Sequence, residues 1–390
     1  MASLITAMVR GRESFVLRAS GVDLALSVNG AHLAPVTFFP DDARPFSPYA
    51  IEPWVSEILA AETPPVIANL RGDWFCSAFG ANEEPYLGRQ LPLHGETANN
   101  DWEGISHGEN SAGTWLHTRM DLPQQGGRCE AITALLKDES VVYQRHDLQG
   151  LVGALNPGHH ATLGFSNIAD PAQLSFSAFR FGRTYFEAAV HPESPKGSCF
   201  RPDAVFSDLC QVPGIDGSVI DVRLFPARCD YDDIAILCAK PGLKLAWSAA
   251  TYRQQGFVWF ALRDPRHLSS TMLWFSNGGR QSPPWNGRHV NVLGIEDITA
   301  YFHVGLNASL RPNPLSERGV PTCLKPGRGG RISIPYIQGV ARVPEQFDCV
   351  TAINAGRNEI ELVAKTGVAV RVSCQVDFLR TGRLHGLNFS

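Results

Sequence analysis

Thr366-Gly367-Val368-Ala-Val370-Arg-Val372-Ser-Cys374-Gln-Val376-Asp-Phe378 carries an apolar residue at every second position behind a Thr-Gly turn. Successive side chains of an extended strand point to opposite faces, so a period of two marks a strand with one buried face. Residues 358–365 precede the turn as a partner strand, and the pair reads as a β-hairpin. The same period recurs at the other end of the chain. Phe15–Ser20 and Val22-Asp-Leu-Ala-Leu-Ser-Val28 lead into the turn signal Asn29-Gly30, and His32–Phe39 resumes a strand. Between the ends, short strands are predicted at 130–136, 139–146, 173–180, 184–190, 218–225, 233–238, 244–248 and 257–262, separated by turn residues. One helix is predicted, over Ile298–Gly305, from the acidic start Glu296-Asp297 and the stop at Gly305. The fold class is all-β.

Composition narrows the function classes. The chain has 390 residues, 44% hydrophobic and only 18% charged, with 36 Gly and 27 Pro. Disordered chains and charged tails need more charge and fewer apolar residues. The balance of 34 Lys+Arg against 38 Asp+Glu, net −4, gives no basic surplus for nucleic acid. No stretch reaches the ~18 apolar residues of a membrane span. The first residues lack the basic start and long apolar core of a secretory signal. Nine cysteines, at 76, 129, 199, 210, 229, 238, 323, 349 and 374, form no Cys-x-x-Cys pair. They fit neither a disulfide framework nor a zinc knuckle, and read as reduced, small apolar residues. The expectation is a cytoplasmic protein with no metal and no cofactor, a monomer or homodimer.

Glycine-rich phosphate loops and the Gly-x-Ser-x-Gly elbow are absent. Residues 66–115 instead form a long stretch dense in Gly, Asn, His and Trp, which reads as an ordered, site-forming region. It holds Arg71, near Asp73 and Trp74, and then Leu93-His94-Gly95-Glu96 running on to Trp102. A His before a Gly sits where the backbone can approach a ligand closely, and an indole offers a flat face to a ring. Asn156-Pro-Gly-His159-His160 opens a strand, and two adjacent His on a strand point opposite ways, so at most one enters a given pocket. Val290-Asn-Val-Leu293-Gly294-Ile-Glu296 is a β run ending in a carboxylate. One Arg, separate His residues and a Glu suit general acid–base chemistry on a neutral polyhydroxylated ligand. Each also has a plainer reading: loop hydrogen bonds for His94, a helix cap for Glu296, and a buried Arg–Asp pair for Arg71.

The order of these segments resembles the aldose 1-epimerase, or galactose mutarotase-like, superfamily over most of residues 20–340. Gly30-Ala31-His32-Leu33 is similar to its early strand, and Leu93-His94-Gly95 to its first His motif with Arg71 upstream. His160-Ala-Thr-Leu-Gly164 is similar in placement to its second His, and Leu293-Gly294-Ile-Glu296 to its Glu-bearing strand end. Gly319–Gly327 followed by Ile332-Ser-Ile-Pro-Tyr336 resembles its closing turn and last core strand. The resemblance implies a β-supersandwich of large antiparallel sheets over residues 1–340, with 341–390 a hairpin extension packed on it. It implies that Glu296 takes the proton of the anomeric hydroxyl while His160 protonates the ring oxygen. Arg71 and His94 would hold hydroxyls, with Glu96 in the same loop, and Trp102 or Trp274 would pack on an apolar sugar face. The family's substrate-binding Asp has no match in the pattern, although Asp221, Asp230, Asp232 and Asp233 lie in the interval where it falls. The usual Asn-His-Thr-Tyr-Phe around the second His is here His159-His160-Ala-Thr-Leu. Three readings stand on this pattern: an anomer-interconverting enzyme, a non-catalytic sugar-binding protein, and a sugar lyase or hydrolase module.

Overall fold

The computed structural model of the chain describes residues 6–187 and 197–389. Two large antiparallel sheets dominate it. The nine-stranded sheet runs in the order Leu224–Phe225, Ala172–Phe176, Ala246–Tyr252, Phe257–Arg263, Ile332–Arg342, Val141–Gln149, Arg128–Leu136, Gly113–Asp121 and Glu103–Asn110. The seven-stranded sheet runs Val205–Phe206, Phe179–Thr184, Tyr231–Ala239, Ser270–Asn277, Val292–Ile298, Gly158–Gly164 and Phe75–Cys76. The main core lies between them, with Leu163, Leu237, Leu273 and Ile295 from one sheet meeting Leu135, Val142, Trp259 and Tyr336 from the other. A four-stranded N-terminal sheet, Thr6–Val9 to Leu33–Phe38, adds Leu17, Leu24 and Val36 to the same core. This is the all-β sandwich expected.

Strands covered on both faces carry continuous apolar runs rather than alternation. Phe257–Arg263 shows why: Trp259 and Ala261 face the main core, whereas Val258, Phe260 and Leu262 face outward under the C-terminal segment. That segment is a three-stranded sheet, Val350–Ala355, Glu359–Ala364 and Ala369–Ser373, whose Ile353, Ile360 and Leu362 close over the nine-stranded sheet. The predicted hairpin is there, with Ala364 N–H donating to Val368 O at 2.8 Å, but a third strand precedes it. Its alternation also outruns the strand, since Phe378 opens a short helix, Phe378–Thr381.

Three expectations are corrected. No helix spans 298–305: the strand Val292–Ile298 runs through Glu296 and Asp297, and Gly305 precedes a helix, Leu306–Leu310, instead of ending one. The two carboxylates lie buried on opposite faces of a covered strand, so they cap nothing. The strand placed at 184–190 is Phe179–Thr184, with residues 185–187 outside it and 188–190 outside the described residues. The central strand Ser270–Asn277 had no predicted counterpart, because both of its faces are buried and its polar Ser and Thr break no visible period. No helix among the described residues is long and apolar enough to cross a membrane.

Candidate functional site

Strand parity and register assemble one row of side chains on the face of the seven-stranded sheet turned away from its partner sheet. His160 pairs with Glu296, Glu296 with Met272, and Met272 with Ile236 across four adjacent strands. His160, Glu296 and Met272 line one cavity, together with Ile234, His94, Trp274, Arg280, Trp285 and His303. His159 and Asp297, the chain neighbours of the first two, point the other way into the sandwich, as two adjacent residues on a strand must.

His160 Nε2 lies 3.3 Å from Glu296 Oε1. The imidazole is fixed from two further sides. Its ring stacks on Trp74 at 4.0 Å between centroids, and Trp74 in turn stacks on His32 at 4.6 Å. Thr162 Oγ1 stands 3.3 Å from His160 Nδ1. Neither oxygen of Glu296 accepts a well-formed hydrogen bond among the described residues. A buried carboxyl without donors favours its neutral form, and burial holds Glu296 well above the usual carboxylate range, with Arg280 opposing. Burial also drives His160 well below an ordinary imidazole, reinforced by His94. Burial, His303, His32 and Arg280 push His94 down to about 3. Burial, then Arg280, lowers His303 to about 4.

Two glycines make the row possible. A Cβ on Gly294 would stand 2.5 Å from Glu296 Oε1, so the glycine leaves the space the carboxyl occupies. Gly95, at φ +81°, presses against the Ser77 carbonyl, which a Cβ would meet at 1.7 Å. The close approach at His94-Gly95 is thus to the protein's own backbone, where a ligand had been expected. It turns His94 toward the cavity, 5.0 Å from the His160 ring.

The far wall is aromatic and cationic. Trp274 and Trp285 stand nearly perpendicular, 5.7 Å apart, and the Arg280 guanidinium lies 5.0 and 4.8 Å from their rings. Asp232 ties this corner together: it accepts from Trp274 Nε1 at 2.8 Å, and its other oxygen lies 3.2 Å from Arg280 Nε. Asp232 is one of the four Asp residues in the interval where the family's pattern carries one.

Of the seven site residues expected from sequence, Glu296, His160, His94 and Trp274 line this cavity, and the other three do not. Arg71 is buried against Glu52, with Nε–Oε2 at 2.9 Å and a second contact from Nη2, and Nη1 donates to the Arg10 carbonyl at 3.1 Å. Its partner is Glu52, where Asp73 had been the plainer candidate. Glu96 accepts from the Gln124 and Gln125 backbone N–H groups at 3.0 and 2.9 Å, fixing a loop. Trp102 is packed in the core between the sheets, its Nε1 donating to the Thr97 carbonyl at 3.0 Å. Arg280, Trp285 and His303 were not assigned to the site. Trp274, Trp285, His289 and His303 all fall within thirty residues, a local density that would have marked this second site-forming region.

The two stacked sheets, the strand order and the outward-facing row define a galactose mutarotase-like β-sandwich. Among solved structures, the chain is similar to a galactose mutarotase-like protein from Clostridium acetobutylicum, with 9% identity and TM-score 0.58 over 87% of this chain and 98% of that one. It is also similar to a Klebsiella pneumoniae protein provisionally named an aldose 1-epimerase, with 11% identity and TM-score 0.56 over 85% and 80%. A galactose mutarotase related enzyme from Lactobacillus acidophilus gives 13% identity and TM-score 0.52 over 85% and 98%. No protein-family profile matches the sequence, and no curated protein does. Identities this low establish the fold.

Proposed function

We propose that the chain is an aldose 1-epimerase-like isomerase that interconverts the anomers of a small sugar by acid–base ring opening. The observation that carries this reading is the His160–Glu296 pair, 3.3 Å apart in one ladder row that faces a cavity. Ring opening removes the proton of the hydroxyl on C1 as the bond from C1 to the ring oxygen breaks, and the ring oxygen takes up a proton. Both oxygens are bonded to C1, so an acid and a base on adjacent strands can address both at once. Rotation about the C1–C2 bond and the reverse steps give the other anomer.

The pair needs one proton between its two members, and burial favours that proton on Glu296. Transfer to His160 yields a carboxylate that binds protons avidly and an imidazolium that sheds them readily, a matched base and acid. Sugar hydroxyls supply the hydrogen bonds that the Glu296 oxygens lack, and Arg280 favours the carboxylate electrostatically. His94 and His303 are held neutral and offer hydroxyl contacts, and Trp274 and Trp285 supply the apolar face. A neutral aldose fits a cavity whose one cation, Arg280, is already countered by Asp232. The same reading puts the protein in the cytoplasm, a compartment that suits cysteines spread singly along the chain. Saturation-transfer NMR on a panel of aldoses tests the reading. Accelerated anomer exchange supports it, and binding without exchange supports a sugar-binding protein on the same fold.

A further inference from the structure

A second depression in the surface, of about 670 Å³, opens at the far ends of the strands that carry the sugar cavity. Its charged lining residues are all basic: Arg180, Lys240, Lys244, Arg266 and Arg380. Such a concentration is out of character for a chain with net charge −4, in which only six of the 34 basic residues are lysines. Two of those six stand in one turn, Lys240-Pro-Gly-Leu-Lys244, which follows the strand Tyr231–Ala239.

The basic groups are set there by the fold. Lys240 N–H donates to the Ala178 carbonyl at 3.0 Å, fastening the turn to the neighbouring chain segment. Register shifts between Phe179 and Phe181, so Arg180 is the extra residue of a bulge, a device that re-aims a side chain. Its Nη1 donates to the Arg318 carbonyl at 2.5 Å, which fixes the guanidinium beside the 319–321 wall. The C-terminal helix Phe378–Thr381 contributes Arg380 from the opposite side. Arg266 is paired with Asp264, and Arg380 lies 3.8 Å from Asp377. Arg180, Lys240 and Lys244 have no carboxylate partner among the described residues, although unpaired cations so close together repel one another.

We propose that this groove binds an oligomeric anion without aromatic groups, at a place separate from the sugar cavity. The remaining lining is Pro, Gly, Ala, Leu, Val and Ser, and no aromatic ring is present on which a nucleobase would stack. Phe181, Cys238 and Leu315, which line neither space, pack in one apolar cluster with Val320 of the groove wall and Met272 and Trp274 of the cavity wall. Lys240 follows Ile234 of the cavity lining by six residues, roughly 20 Å along an extended strand. The ligand is therefore not an extension of a monosaccharide held at Glu296. The groove also gives the C-terminal segment a part in binding, since that segment supplies one wall.

The test uses the full chain and two probes, tripolyphosphate and a short oligogalacturonate, followed by calorimetric titration at 50 and 200 mM salt. Binding of the first assigns a phosphoanion, and binding of the second a carboxylated glycan. Either supports the groove if affinity falls steeply with salt and drops about tenfold in the K240E/K244E variant. Both lysines are exposed, so the variant is expected to fold, and an unchanged melting temperature checks this. Absence of binding by both probes at 50 mM salt overturns the proposal, as does binding that ignores the two substitutions. Tighter binding of an oligothymidylate than of either probe also overturns it. Loss of anomerase activity in other variants would leave these titrations untouched, so the two readings fail separately.

Discussion

Arg71 and Glu296 are both fully buried, and they illustrate opposite ways of surviving there. Arg71 keeps its charge by forming a two-point contact with Glu52 and donating to a backbone carbonyl. Removing the guanidinium leaves buried Glu52 only the longer contact to Arg12, at 3.5 Å, so Arg71→Ala is expected to lower stability by about 3 kcal/mol in chemical denaturation. Sugar affinity of the folded fraction should stay unchanged, and a selective loss of affinity would return Arg71 to the binding site. Glu296 has no such partner, and burial favours its neutral form instead. Gln is close in shape to a protonated Glu, so Glu296→Gln is expected to keep the melting temperature within a few degrees while lowering kcat by about 10²–10⁴-fold. A large fall in melting temperature would show that Glu296 supports the fold more than the chemistry.

At the scale of the strand, each reactive residue is backed by a neighbour locked into the sandwich. Asp297 accepts from Thr271 Oγ1 at 2.7 Å and Tyr336 Oη at 2.8 Å, and pairs with Arg263. His159 Nδ1 donates to Asp73 at 2.8 Å, and the same Asp73 oxygen accepts from Gln338 at 2.7 Å. A one-residue slip would exchange these faces and put Glu296 into the core. Asp297→Ala leaves Arg263 unpaired and is expected to cost about 3–5 kcal/mol. It should also lower kcat with little change in KM, since it loosens the strand beneath the base; an unchanged kcat would limit Asp297 to a structural part. This logic also marks what was legible in the sequence. The His159-His160 doublet, the Gly294-x-Glu296 spacing and the His94-Gly95 step are local signals with local physical causes, and each led to a residue that lines the cavity. Arg71, Glu96 and Trp102 are of the same residue types, but their partners Glu52, Gln124 and the core were set by packing that spacing does not encode. The strand Ser270–Asn277 is covered on both faces and shows no period, so the strand went unread although Trp274 on it was named. The acidic pair Glu296-Asp297 looked like a helix start because burial on two faces is invisible in one dimension.

Over the whole molecule, the buried histidines set the response to acid. Burial pushes His32, His94 and His289 down to about 3 and His303 to about 4, and drives His146 and His160 well below their ordinary value. The unfolded chain protonates them near 6.5, so between 6.5 and about 3–4 it binds more protons than the native state. Stability is therefore present above 6.5 and is lost as pH falls, on the order of 1 kcal/mol per pH unit for each histidine kept neutral. Glu296 has the opposite sign, its contribution falling as pH rises from 4.5, and it is outnumbered. Melting curves should show a steep drop from pH 6.5 to 4.5, and a flat profile would contradict the burial of these rings. The C-terminal sheet matters at the same scale, since Ile353, Ile360, Leu362 and Phe378 cover Phe260 and Ile337. A chain ending at residue 343 would expose that face and is expected to aggregate, which light scattering reads directly; a monodisperse, fully folded truncation would make the segment an independent appendage. The central claim concerns one pair of side chains, and one measurement reaches it most directly: anomer exchange rates by saturation-transfer NMR for the native chain, Glu296→Gln and His160→Gln across several aldoses. The account predicts catalysed exchange of at least one aldose by the native chain and its loss in both variants with sugar binding retained. Exchange that persists undiminished in Glu296→Gln would contradict it.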